Sequence, residues 1–309
     1  MGRREDMSFR LKPDETVRRG LKRIVRKQLR RGHQCLQRGG DDRVHEARKS
    51  VKKVRALVRL LELADAKAIG RDARRLRAAG RVLSRRRDAD AVLATLDRVR
   101  SHFPKHLPEH VAARIRRELI QTRADIARET GNKRRVVRAA RALETVRKSI
   151  RTWDVPKLDP LDLTNLLEKS YRAARKAMFK ARKTTHAPDV HRWRKRVKTL
   201  WYQLRLLEGQ APKLRTVLQR FDRLETVLGE HHDLVVLESM LATDRRRRGA
   251  ADARRQLAPL SRRLQATLRR RALNQGRRLL ERKPKAFARA LRRSLSRSSK
   301  KSKKSASTT

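Results

Sequence analysis

Two stretches of the chain put a histidine, arginines and lysines along one flank of a helix. Val44 to Glu62 reads VHEARKSVKKVRALVRLLE, and Val190 to Glu208 reads VHRWRKRVKTLWYQLRLLE. At helical geometry His45, Arg48, Lys52, Arg55 and Arg59 fall within an arc of roughly 80°. In the second stretch His191, Arg194, Lys198 and Arg205 occupy that line, with Lys195 alongside. Lys49 and Lys53 lie beyond the first line, toward solvent. Cations stacked about one turn apart, ~5.4 Å, weaken an isolated helix through like-charge repulsion. An anion filling the stripe removes that penalty. Arg forks onto phosphate oxygens and Lys acts as a mobile point charge, so a linear phosphate polymer with no base to read suits such a row. Each histidine sits in a first helical turn, where free N–H groups and the dipole also favour an anion. A neighbouring anion raises an imidazole pKa, so the histidines are expected to strengthen binding on acidification.

The two stretches are copies of one another. With His45 set on His191, they share Val, His, Arg, Lys, Val, Lys, Arg, Leu, Leu and Glu. Chance amphipathicity reproduces apolar matches, but hardly His, Arg, Lys and Lys at the same four positions. A second matched pair follows, VLSRRRDADAVLATL from Val82 and VLGEHHDLVVLESML from Val227. The chain therefore reads as an internal duplication.

The elements that must carry these residues are helices. In the first copy Val44, Ala47, Val51, Val54, Val58 and Leu61 form the apolar stripe that faces a core. Similar periodicity predicts helices near 14–38, 41–63, 67–84, 87–101, 107–129 and 133–151, with Asp14 and Asp41 or Asp42 as caps. In the second half helices are predicted near 163–184, 189–208, 213–229, 232–247, 251–281 and 285–295. No segment alternates as a strand, so the expectation is all-α. The domain reading is an unstructured extension over 1–10, a first bundle over 11–152, a Pro-bearing linker over 153–162, a second bundle over 163–295 and an unstructured Ser/Lys-rich tail over 296–309.

Lys and Arg number 87 against 32 Asp and Glu among 309 residues, a formal net charge of +55. Such a chain repels itself unless anions condense on it, and it draws in any polyanion. Part of that excess is ordinary solvated surface. Cys35 is the sole cysteine, which excludes an intramolecular disulfide and a cysteine-based zinc site and fits a reducing cytoplasm. Neither a secretory h-region nor a membrane-length apolar run is present, so no membrane role is expected.

The motifs resemble those of a known family. His-x-x-Arg-x-x-x-Lys-Lys-x-Arg at 45–55 and His-x-x-Arg-Lys-x-x-Lys-x-x-x-Tyr at 191–202 look like the two signature helices of the CHAD domain, the conserved histidine α-helical domain. Arg87-Asp88-x-Asp90 and Leu228-Gly229-x-x-His232-Asp233 resemble its second motif pair. Ala272-Leu273-x-x-Gly276-x-x-Leu279 before Lys283-Pro284 resembles its C-terminal helices. The resemblance implies two bundles related by a pseudo-twofold, a basic groove or pore between them, and inorganic polyphosphate bound there, at polyphosphate granules of the cytoplasm. It carries binding roles onto His45, Arg48, Lys52, Lys53 and Arg55, and onto His191, Arg194, Lys195 and Lys198. Lys49, Arg59, Arg87, Tyr202, Arg205 and His232 complete the candidate site, with Asp88 and Asp233 orienting its cations. Trp201 stands where the family more usually has a basic residue, and Ser84 where it has Gly.

Other chemistries fit less well. A helical metal-dependent phosphohydrolase would use His232 and Asp233, but adjacent His231 and His232 point apart on a helix, and the matched first-half position is Arg87-Asp88. A carboxylate cluster able to hold Mg²⁺ or Mn²⁺ is not evident. His102, His106 and His110 are interrupted by Pro104 and Pro108, which predicts an exposed turn. Few aromatics argue against a single-strand nucleic-acid platform. The expectation is a non-catalytic polyphosphate binder without cofactor or metal, with weaker nucleic-acid binding. A nucleic-acid-binding architectural protein is the principal alternative.

Overall fold

The structure, a computed structural model, describes residues 9–12, 15–64, 69–130, 133–211, 214–243 and 251–306. Within helices the side chains of 41, 84–90, 126–127, 129–130, 133, 243, 252–253 and 297–306 also lie outside the description. Among the described residues there are ten α-helices and no β-strand. They are α1 (Val17–Arg38), α2 (Asp41–Leu63), α3 (Gly70–His102), α4 (Glu109–Thr130), α5 (Lys133–Ser149), α6 (Pro160–Lys183), α7 (Ala187–Leu204), α8 (Leu214–Thr243), α9 (Ala251–Leu280) and α10 (Pro284–Ala306).

Local chemistry accounts for several boundaries. Thr16 rather than Asp14 caps α1, its hydroxyl accepting from the Arg19 N–H at 3.3 Å. Gly39 and Gly40 carry the chain into α2 at φ +70° and +88°, a region closed to most side chains. Asp159 and Asp162 form a reciprocal capping box at the start of α6, where Pro160 costs no hydrogen bond.

Two expected breaks are absent. The helices predicted at 67–84 and 87–101 are one helix, α3, and those at 213–229 and 232–247 are α8. Buried Leu76, Leu83, Val92, Leu96 and Val99 keep helical period across the first junction. Leu224, Val227, Leu228, Leu234 and Leu237 do the same across the second. Gly229 is tolerated mid-helix. Long helices thus run past the signature pair.

Helices α2 and α7, which carry the repeated motif, pack on each other at the centre of the molecule. Helix α3 packs on α2, α8 on α7, and α3 and α8 also meet. The predicted stripe of α2 is buried throughout, with Val44 the most exposed at 6%. Across the central pair the Gln203 side chain donates to the Ala56 carbonyl at 2.9 Å. Further out, Arg254 on α9 reaches Glu118 on α4 with two N–H donors at 3.2 and 3.0 Å.

Both chain ends behave differently from expectation. Phe9 and Leu11 are buried, and the Leu11 N–H donates to the Leu206 carbonyl at 3.0 Å. Apolar anchors therefore order the chain from Phe9 onward, while residues 1–8 lie outside the description. At the other end α10 carries helical backbone through residue 306, into the stretch expected to be unstructured. The linker docks as well: Trp153 is buried and its indole N–H donates to Asp72 at 2.9 Å, while Ser149 donates to the same carboxylate. An unpaired indole N–H there would be costly.

Gly276 on α9 lies against Trp193 of α7. A Cβ at that position would stand 2.5 Å from the Trp193 ring and 3.1 Å from the Met178 sulfur. Trp193 is fully buried and cannot swing away cheaply. Gly276→Ala should destabilise the fold by about 1–3 kcal/mol through overpacking, against a helix-propensity gain of about 1 kcal/mol. Urea unfolding measures this. A more stable variant would mean that Trp193 has room to retreat.

Candidate functional site

The two signature helices bring their cations to one place. A pocket of about 370 Å³ opens between α2, α7 and α8, lined by His45, Arg48, Lys52, Arg194, Lys198 and His232 among others. Lys49 and Lys53 line it too, although their helical angle alone points them to solvent. Trp201, Tyr202 and Arg205 form an aromatic and cationic wall, and Asp233, Glu46 and Ala91 also line the pocket.

At its heart Lys52, Arg194 and Lys198 face a single carboxylate, with Arg48 beside the two lysines. Lys198 donates to Glu225 Oε1 at 2.6 Å, and Arg194 Nη2 lies 3.3 Å from the same oxygen. These three side chains are 14–21% exposed. Lys52 also acts on Glu225, and Arg48 acts on both lysines: burial, then Arg48, Lys198 and Arg194, pushes Lys52 down to about 7, against the pull of Glu225. Burial opposes the charge of Lys198 as well, and Glu225 partly restores it. Glu225 itself stays below the usual carboxylate range because Lys198 and Arg194 outweigh its own burial. Even with Lys52 only partly protonated at neutral pH, the cations around Glu225 outnumber it and leave surplus positive potential at this centre.

A pair of imidazoles flanks this centre. His191 and His232 lie ring to ring at 4.3 Å. Burial, followed by Lys195, Arg194 and Lys52, pushes His191 down to about 4. Burial, then His191, Arg194, Arg48 and Lys52, takes His232 to about 3. Both are therefore neutral at pH 7 in the unliganded protein. Burial also holds buried His231, which points away from the pocket, down to about 4. Each copy of the motif places its histidine differently: His45 lines the pocket, whereas His191 reaches it through His232.

The aromatic wall belongs to the second copy. Phe9 sits behind it, edge-on to Tyr202 at 5.9 Å between ring centres, with Lys53 5.6 Å above its ring. Arg205 is 5% exposed and lies 5.4 Å from the Phe9 ring centre and 5.2 Å from that of Trp201. It is a buried cation held by rings. Its counterpart Arg59 is exposed and lies 3.5 Å from Glu62. Burial raises the Tyr202 hydroxyl far above the phenol range, with Glu225 adding to the effect, so it remains a neutral donor.

Not every expected residue reaches the pocket. Arg55, Arg59 and Lys195 lie outside it. Arg55 rests against Gly80, where a Cβ would stand 3.1 Å from its guanidinium, with Arg77 and Arg81 as charged neighbours. Lys195 adjoins Arg55. The side chains of Arg87 and Asp88 lie outside the described residues. Sequence reasoning overlooked Glu225, whose signal was its place seven residues before His232, two turns along one helical face. It also overlooked Phe9, and no local signal marks it. His102, His106 and His110 are exposed, as the two prolines predict. No group of three or more His, Cys, Asp or Glu is arranged to hold a metal among the described residues, and no described helix is long and apolar enough to cross a membrane.

The fold has counterparts in known proteins. The CHAD domain family model matches residues 19–242, which takes in both signature helices and the second motif pair. The crystal structure of the CHAD domain from the plant Ricinus communis superposes with a TM-score of 0.64 at 22% identity, over 88% of this chain and 94% of that one. No curated protein matches the chain. With the family model spanning most of its length and the all-helical fold shared, the chain belongs to the CHAD domain family.

Proposed function

We propose that this protein binds inorganic polyphosphate in the pocket between α2, α7 and α8, without chemistry of its own. The observation that carries the reading is the convergence of Arg48, Lys52, Arg194 and Lys198 around Glu225. A polymer of closely spaced phosphates supplies compensating charge to all four at once, and a half-buried site weakens the competition from water. Family membership supports the same ligand. Cytoplasmic location, and tethering to polyphosphate granules, form part of the proposal.

Nucleic acid presents phosphates farther apart and needs a wider track than this pocket. Long polyphosphate should therefore outcompete duplex DNA at physiological salt. Arg48→Ala with Lys52→Ala, or Arg194→Ala with Lys198→Ala, should lower polyphosphate affinity by about tenfold or more, because charge-assisted bonds contribute roughly 1.5–3 kcal/mol each. Deleting residues 296–309 should change it little. Equal competition by DNA together with a dominant effect of the tail would sink the reading.

Protonation should follow binding. The folded, unliganded protein holds Lys52 near pKa 7, below its ordinary value of 10.5. Between those values the unfolded chain binds this proton more readily, so Lys52 adds to fold stability as pH rises and is a full liability below 7. A bound anion reverses the local potential and draws the proton back. Affinity should accordingly fall by up to about tenfold per pH unit from pH 7 towards 9. Lys52→Arg, which keeps its charge, should flatten the profile. Titrations at pH 6, 7, 8 and 9 decide the point, and a flat wild-type profile would remove Lys52 as the linked group.

Glu225 competes with the ligand for the same cations. Glu225→Gln should cost the unliganded fold roughly 3 kcal/mol, since breaking one side of a buried ion pair strands its partners. The same substitution should tighten polyphosphate binding severalfold. Thermal unfolding with and without polyphosphate measures both. Weaker binding in the variant would make Glu225 a support for the cations rather than a rival.

A further inference from the structure

The chain has three tryptophans, and two of them, Trp153 and Trp193, are fully buried. Trp201 differs: it is only partly buried and lines the cationic pocket. Its placement is not a simple consequence of the repeat. The matched residue of the first copy, Arg55, lies outside the pocket among Arg77, Arg81 and Gly80. An indole along a cationic cleft is of little use to a bare phosphate chain, which has no apolar face to offer. It suits a ligand that ends in a flat ring.

Its surroundings hold the ring in place. Arg205, itself buried, lies 5.2 Å from the Trp201 ring centre, and Tyr202 lies 4.9 Å away at 37°. Phe9 backs Arg205 and Tyr202 in turn. Trp201 is packed against these groups and, being only partly buried, still lines the pocket. The same pocket holds Arg48, Lys52, Arg194 and Lys198, so one short cleft offers a stacking surface and a phosphate cradle. Stacking on an aromatic side chain tolerates any base and is strongest for the larger purines.

We propose that the pocket takes purine nucleoside polyphosphates, the base against Trp201 and the phosphates on the four central cations. The inference deepens the polyphosphate reading and rests on it for the phosphate part. ATP and inorganic tripolyphosphate carry the same number of phosphoryl groups; on the full chain their comparison reads the nucleoside, at the cost of one anionic oxygen, and the Trp201 variants then separate stacking from charge. ATP should bind about tenfold more tightly, the ratio expected of one base–aromatic stack. It should also quench tryptophan emission, because Trp153 and Trp193 are shielded. Trp201→Leu should abolish the advantage of ATP over tripolyphosphate, and Trp201→Phe should keep most of it. Equal binding of ATP and tripolyphosphate by the unaltered protein overturns the inference without touching the polyphosphate reading. An ATP advantage that survives in Trp201→Leu overturns it as well. If neither ligand nor long polyphosphate binds, both readings fall.

Discussion

Crowding of like charge around one carboxylate is the constraint on which the site depends. Arg48, Lys52, Arg194 and Lys198 come from matched positions of two helices that pack directly on each other. Their repulsion is offset by Glu225, by lowered protonation of Lys52, and by the neutrality of His191 and His232. Each device reduces positive charge when no ligand is present. A polyanion placed among these groups would favour the charged forms that burial suppresses.

That arrangement can persist because the frame beneath it is conventional. The stripe from Val44 to Leu61 and the residues Trp193, Val197 and Leu200 lock α2 and α7 into the core. α3 and α8 run unbroken behind them, and Gly276 lets α9 close on Trp193. Apolar packing of this density resists small displacements. It therefore holds cations closer together than they would settle on a free helix.

The two copies have diverged in use. Lys52 and Lys198 meet at the centre, yet Arg55 and Trp201 go to different surroundings. Arg59 stays at the surface while Arg205 is buried among rings. Gly80 makes room for the Arg55 side chain, where a Cβ would stand 3.1 Å from its guanidinium, whereas beside Arg194 a Cβ on Gly229 would sit in ordinary contact at 3.5 Å. The first motif helix thus presents a mainly cationic side to the pocket and the second an aromatic one.

Much of this was legible in the residues alone. Helical period identified the all-α fold and the buried stripe of α2, because a repeated apolar spacing has one economical way to hide from water. The paired motif singled out Arg48, Lys52, Arg194 and Lys198, because residue type and spacing along one helix are local properties. The helix breaks at 85–86 and 230–231 were misjudged, since polar residues inside a long helix look like loops until a neighbouring helix covers the intervening apolar face. Which cations meet, which stay outside, and which acid answers them depended on the crossing of α2 and α7 and on α8 behind it. Phe9, far away in sequence, became part of the wall for the same reason. Proximity between segments distant in the chain is set by how all their apolar faces pack at once, and no local pattern encodes it.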